Sequence, residues 1–253
     1  MTTHENIALL VLVAAPLAAC APGPVEIAVL DTKSPLFGMI AHWPFDDGEG
    51  NMATDRSGNR HHGTVGGATW TTAGRFGGAL HFESGNEVTV PNFPHAGPAF
   101  SVALWVRPPA QDLGTSTYAT LVSTEIVFAG GWEINAMLSP IDSRYQMGYY
   151  NGPGDSDYFT FDCRCVTPLQ WTHIASVVDA TAGTLSFYKD GVYQGQSVVT
   201  EPIKPGTDTL YFGRWQMTGR LFAGDLDDVV IYDRALEPAD VAALAKAPAP
   251  IPP

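Results

Sequence analysis

The sequence predicts an all-β fold, a sandwich or barrel of short strands followed by one short C-terminal helix. Three observations carry this reading. Strand-like runs recur between turn clusters, at 79–82, 87–90, 100–107, 120–123, 132–137, 144–149, 171–178, 184–188, 192–199, 209–213 and 222–232. Their lengths and spacing are those of sandwich and barrel strands. Gly 26 and Pro 20 among 253 residues supply many turns and leave little room for long helices. Charged residues make up 15% against 45% hydrophobic, which suits sheets whose outer faces carry Ser, Thr, Asn and Gln.

The N-terminus reads as a processing segment. Residues 7–15, IALLVLVAA, have the length of a secretory apolar region and are too short to span a bilayer comfortably. Leu17-Ala18-Ala19-Cys20 resembles a bacterial lipobox, in which the Cys is lipidated and becomes the mature N-terminus; an ordinary secretory signal is the alternative. The preceding MTTHEN departs from the usual pattern, with Glu5 and no Lys or Arg. The expected organisation is a lipoprotein signal peptide over 1–19, a Pro-punctuated tether over 20–36, the folded domain over 37–246, and an extended Pro-rich tail over 247–253. The implied location is the bacterial cell envelope, with the membrane reached only through the lipid on Cys20. Ala21 resembles the outer-membrane type, since Asp there is the usual retention signal.

Within the domain, Trp43 and Phe45 alternate as on one buried face of a strand. Gly77 and Gly78 mark a bulge or a close backbone approach. Asp190-Gly191, between two strand-like runs, is a hairpin turn, because Gly accepts the positive φ such a turn demands. In the last strand Val229 and Ile231 share one face, Val230 and Tyr232 the other. Residues 237–244 read as a short helix, with Pro238 in its first turn and Val241 and Leu244 on a face that covers the sandwich.

The charge balance, 26 Asp+Glu against 13 Lys+Arg, excludes a nucleic-acid partner, because no basic patch can release counterions from phosphate. It suits a divalent cation or a basic partner, with solubility alone as the alternative reading. There is no P-loop and no metalloprotease His-Glu-x-x-His. His61-His62 is a poor paired ligand, since adjacent strand residues face opposite ways. Cys163 and Cys165 flank Arg164. They read as a local, strained disulfide of an oxidising compartment, with two free thiols and a metal site as alternatives.

Four segments carry a family resemblance. They are Ala41-His42-Trp43-Pro44-Phe45-Asp46-Asp47-Gly48 with Asp55-Arg56-Ser57-Gly58-Asn59; Gly74-Arg75-Phe76-Gly77-Gly78-Ala79-Leu80-His81-Phe82; Gln170-Trp171-Thr172-His173-Ile174 leading into the hairpin; and Gly224-Asp225-Leu226-Asp227-Asp228-Val229-Val230-Ile231-Tyr232. In this order they resemble the bacterial LamG-like jelly-roll domain of the concanavalin A-like lectin and glucanase superfamily, over nearly all of 37–246. The resemblance implies a two-sheet antiparallel β-sandwich. It also implies a structural calcium between the first and last strands, at Asp46 and Asp227, with Asp228 as a further ligand; the alternative is that Asp46 and Asp227 only hydrogen-bond turn amides, as Asp often does. The superfamily contains glycosidases, but the Glu-x-Asp-x-x-Glu run of its glucanase branch is absent from this sequence, and Glu125 and Glu133 stand isolated. The expectation is therefore a binding module and no enzyme.

For the ligand, the sequence offers aromatics in an acidic setting: Trp132, Tyr145, Tyr149, Tyr150, Tyr158 and Trp215. Sugar faces stack on such rings while Asn, Gln and Asp take the hydroxyls. The competing reading is that these rings are core or cross-strand partners. A polysaccharide or glycan is the expected partner, with a surface protein as the alternative.

Overall fold

Alternation of apolar and polar residues sorts the chain into two antiparallel sheets packed face to face. The computed structural model describes residues 34–110, 118–124, 130–137, 144–149, 167–199, 201–216 and 219–252. Within them the strands are β1 (Met39–Trp43), β2 (Met52–Ala53), β3 (Gly63–Gly66), β4 (Thr69–Phe76), β5 (Gly78–Phe82), β6 (Glu87–Pro91), β7 (Ala99–Arg107), β8 (Ala119–Ser123), β9 (Trp132–Met137), β10 (Arg144–Tyr149), β11 (Thr172–Asp179), β12 (Thr184–Lys189), β13 (Val192–Val198), β14 (Thr209–Phe212) and β15 (Gly224–Tyr232). One helix, α1 (Pro238–Leu244), follows.

The first sheet runs β13-β12-β11-β7-β15-β5-β4, with β1 also paired to β15; the second runs β10-β9-β8-β14-β6-β3-β2. This is the expected two-sheet sandwich. Strands β9 and β10 coincide with the runs read from sequence, and the β12–β13 hairpin turns at Asp190 and Gly191, both at positive φ. The sequence reading passed over β2, β3 and β4. The half-exposed β4, Thr69–Phe76, is rich in Thr and poor in aliphatic residues, so it lacks the apolar run that marks a strand.

The sheets bury a shared aromatic and aliphatic core. Trp43 stands edge-on to Phe212 at 5.0 Å, and Phe100 packs on Trp132 at 5.5 Å between centroids. Asp55 ties the loop after β1 to the core: its carboxylate accepts the amides of His42 (2.9 Å), Ser57 (2.8 Å) and His61 (2.8 Å). A second apolar cluster lies on the outside of the first sheet, where Val230 and Tyr232 meet Leu236, Val241 and Leu244. The alternation read along β15 and the covering role of α1 both hold.

Strand β15 breaks its own alternation once. Its register shifts between Asp227 and Val230, and Asp228 takes φ 47°. Such a bulge inserts an extra residue. It lets Asp227 and Asp228 both leave the core side, while Leu226 and Val229 stay in it.

Candidate functional site

The outer face of the second sheet follows from the residues of its inner face. Trp132, Ile134 and Ala136 of β9 and Tyr145, Met147 and Tyr149 of β10 all point into the core. With a period of two, Glu133, Asn135, Gln146 and Gly148 must take the other face. The register sets Asn135 opposite Gln146 and Glu133 opposite Gly148, and on the other flank Thr120 opposite Asn135. Glu133, Asn135 and Gln146 are each fully buried.

Few of their polar atoms find partners within the protein. Thr120 donates its hydroxyl to Asn135 Oδ1 at 2.8 Å, and Arg220 donates from its guanidinium to Glu133 Oε1. The same guanidinium lies 4.5 Å from the Trp215 ring and 5.3 Å from the Tyr118 ring. Glu133 Oε2, Asn135 Nδ2, both amide atoms of Gln146 and Trp215 Nε1 are buried without a hydrogen-bond partner. Each such atom costs roughly 1–3 kcal/mol when left unmet. Natural folds seldom gather several in one place unless water or a ligand meets them. The arrangement is a neutralised charge pair, two carboxamides and an indole N–H, able to exchange hydrogen bonds in both directions.

This alters the aromatic expectation. Trp132, Tyr145 and Tyr149 are core residues, so they present no platform to a ligand; the alternation that turns Glu133 and Gln146 to the other face of the sheet turns them inward. Burial pushes the Tyr145 phenol far above its usual range. Tyr150 and Tyr158 lie outside the described residues, as do Cys20, Cys163 and Cys165. Of the four aromatics among the described residues, Trp215 is the one the structure places at the polar face. The sequence reading missed Asn135, Gln146, Tyr118 and Arg220, and it set Glu133 aside as isolated. The available signal was two adjacent runs, WEINAM and RYQMGY, whose polar residues fall on one parity.

The acidic positions lie on the first sheet. Asp46 Oδ1 accepts the Gly78 amide at 2.5 Å. A side chain at Gly77, where φ is +76°, would put its Cβ 2.5 Å from that oxygen, so the approach requires glycine. Asp227 reaches the same β4–β5 turn: its Oδ2 accepts the amides of Arg75 (2.7 Å) and Phe76 (2.9 Å). Its Oδ1 is buried with no partner. The Asp227 carboxyl is pushed up to about 7, mainly by burial, with the charges of Asp228 and Asp46 adding and the two amide bonds opposing. Beside Asp46, an open recess of about 200 Å³ is lined by Gly48, Trp70, Thr71, Thr72, Gly77 and Gly78.

Asp228 does not join this pair. Its Oδ1 takes the His42 Nε2 hydrogen at 2.6 Å and its Oδ2 the Ala249 amide at 2.8 Å. Both oxygens are committed to holding β1 and the C-terminal tail, which is the physical reason it is no free ligand. Among the described residues no three His, Cys, Asp or Glu side chains are grouped to hold a metal. Asp46 and Asp227 both bond amides of the β4–β5 turn, and Asp227 keeps one orphaned oxygen, so these two carboxylates are the donors a hard cation there would use. Calcium takes 6–8 oxygens, so carbonyls and water would have to supply the rest.

Comparison with known proteins accords with this architecture. No curated protein matches the sequence. Among solved structures, domain 4 of AbnA, a GH43 extracellular arabinanase from Geobacillus stearothermophilus, in complex with arabinotriose, superposes with a TM-score of 0.62 at 23% identity, over 82% of this chain and 98% of that one. The receptor-binding domain of botulinum neurotoxin type G gives 0.58 at 17%, over 83% of this chain and 51% of that one. The serotype D ligand-binding domain in complex with N-acetylneuraminic acid gives 0.57 at 16%, over 83% and 50%. The chain thus spans nearly all of the arabinanase domain and about half of each toxin domain, and identities this low show the shared fold alone. The Laminin_G_3 model, described as concanavalin A-like lectin/glucanases superfamily, matches residues 82–242. With the two-sheet sandwich and its topology in place, the chain belongs to the Laminin_G_3 family of the concanavalin A-like lectin/glucanase superfamily.

Proposed function

We propose that this protein is a non-catalytic glycan-binding module of the bacterial cell envelope, anchored by a lipid on Cys20 and stabilised by calcium at Asp46 and Asp227. The observation that carries the reading is the set of orphaned polar atoms at Glu133, Asn135, Gln146 and Trp215. Sugars present closely spaced hydroxyls that both donate and accept, and ligand sites combine aromatic walls with a few placed polar groups. Two similar folds were solved with saccharides, arabinotriose and N-acetylneuraminic acid, which supports a sugar as ligand.

The acid spacing supports a binding role. Glycoside hydrolysis uses two carboxylates about 5–10 Å apart. On the outer face of the second sheet Glu133 has Glu87 as its acidic counterpart among the described strands, and each carries its own arginine, Arg220 and Arg214. Strands β9 and β6 are three steps apart in that sheet, about 14 Å at about 4.8 Å per step. That separation suits neither hydrolytic geometry.

The test is a glycan-array screen of the chain lacking 1–20, beside its Gln146→Ala variant. Binding present in the first and lost in the second supports the reading; binding in neither refutes it. For calcium, chelation should lower the melting temperature, and Asp227→Ala should abolish the difference. Metal analysis showing no calcium after soaking would remove that part. Cys20→Ala should leave the membrane fraction without unfolding.

A second reading, a protein partner, is favoured by edge strand β13. Val192, Tyr193 and Val198 are exposed along it, and a free edge can accept a strand from another chain. Lysine substitutions at Val192 and Val198 would separate the two, removing a protein partner while sparing a glycan.

A further inference from the structure

Building on the glycan reading, the geometry points to a neutral, hydroxyl-presenting saccharide as the ligand of the polar face, to the exclusion of acidic sugars. The unmet groups decide this by type. Asn135 Nδ2, Gln146 Nε2 and Trp215 Nε1 are donors, while Glu133 Oε2 and Gln146 Oε1 are acceptors. A hydroxyl is donor and acceptor at once, so neighbouring hydroxyls on one ring can serve both kinds. A carboxylate only accepts. It would satisfy the three N–H groups and leave the two acceptors orphaned.

Charge acts in the same direction. Glu133 faces Gly148 across the β9–β10 pair and Ser123 across the β8–β9 pair, so no cationic side chain stands directly opposite its carboxylate in the sheet. An incoming anion would meet Glu133 Oε2 in a buried setting, where like charges repel strongly. Arg220 does not reverse this. Its guanidinium is bonded to Glu133 Oε1 and stacked beside Trp215 and Tyr118, so its charge is matched by that of Glu133. The long-range field opposes anions too, with a formal net charge of −13.

The inference assigns a specificity role to Glu133: its charge is the element that rejects an acidic sugar. Replacing it with glutamine keeps the shape, adds a donor and releases Arg220 from its carboxylate partner. The variant should gain acidic ligands.

The experiment is isothermal titration of the full chain lacking its signal segment. The probes are neutral trisaccharides (arabinotriose, cellotriose, mannotriose) and acidic ones (trigalacturonic acid, 3′-sialyllactose), at low and at physiological salt. At least one neutral probe should bind, with every acidic probe at least tenfold weaker at both salts. Glu133→Gln should improve acidic binding at least tenfold. Gln146→Leu, close in size and free of polar atoms, should cut neutral binding at least tenfold with an unchanged or raised melting temperature. If Glu133→Gln fails to fold, the wild-type ratio and the Gln146→Leu loss still decide. Acidic probes binding as tightly as neutral ones, with Gln146→Leu abolishing both, would overturn the neutral-ligand inference and leave the glycan reading standing. No binding by any probe would overturn both. Binding that survives Gln146→Leu and Trp215→Ala would place the sugar elsewhere and overturn the assignment to this face.

Discussion

The two sheets turn their outer faces to different uses. On the first sheet, Val230 and Tyr232 are covered by Leu236 and by Val241 and Leu244 of the helix. Asp228, on the same strand, spends both oxygens on His42 and Ala249. On the second sheet, Glu133, Asn135 and Gln146 are equally buried yet hold four unmet polar atoms between them. One alternation rule makes both faces. The difference is in what was placed on the outward parity: hydrophobes and an acid with both oxygens bonded on one, carboxamides and an arginine-paired acid on the other. The first pattern stabilises the fold, and the second costs stability. The first sheet has orphaned atoms as well, at His42, Trp105, His173, Ser176 and Asp227. Each is a single atom on its side chain, whereas Gln146 has its whole amide unmet.

The largest effect tests the closed face. Asp228→Ala removes the partner of a fully buried histidine and frees the Ala249 amide together. Breaking one side of a buried pair costs about 3–5 kcal/mol. For a domain of this size that is a fall in melting temperature on the order of 10 °C, with earlier proteolysis of the C-terminal tail. A fall no larger than that of a surface Asp→Ala control would show that the His42–Asp228 link does not hold the face closed.

The next effect concerns Asp227, whose sign is opposite. Its carboxyl is raised from the ordinary 3.8 to about 7. Between those values the folded protein keeps a proton that the unfolded chain has lost. Folded stability contributed by this group therefore falls as pH rises from about 4 to about 7, and the penalty is complete above that. The upper bound is on the order of 4 kcal/mol. In chelator, the wild type should lose more melting temperature than Asp227→Asn between pH 5 and pH 8. Calcium should close the gap, since a cation replaces the proton. Parallel pH profiles for the two proteins in chelator would show that Asp227 is not the titrating group.

How much of this was legible in the sequence depends on whether the information was local. The strands, the Asp190-Gly191 turn and the helix over 237–244 are written in neighbouring residues, and so was the parity of Val229 and Ile231. The β15 bulge is not, because its cause is the partner strand's register. Without it, Asp227 and Asp228 read as one acidic unit, and Asp228 was assigned to the cation. The polar face was harder still. Asn135 lies beside Gln146 only once β9 and β10 pair, and Arg220 reaches Glu133 from 87 residues away. Aromatic content was a poor guide, because Tyr145 and Tyr149 are abundant in that segment for the sake of the core.

The smallest effect on stability carries the sharpest contrast between the faces. Asn135→Leu and Gln146→Leu replace orphaned amides with apolar side chains of similar size. On a face built for stability such changes would be neutral at best, because each polar atom would lose a partner. Here Gln146 has no partner to lose, and its removal ends a desolvation cost of roughly 1–3 kcal/mol. Gln146→Leu should therefore raise the melting temperature by a few degrees while binding falls. Asn135→Leu should gain less, since Asn135 Oδ1 already receives the Thr120 hydroxyl at 2.8 Å and that donor would be stranded. The ordering, Gln146→Leu above Asn135→Leu in stability with both weak in binding, is read from paired thermal melts and titrations. Both variants melting well below the wild type would mean that these amides hold the sheet together, and the polar face would then be structural like its counterpart.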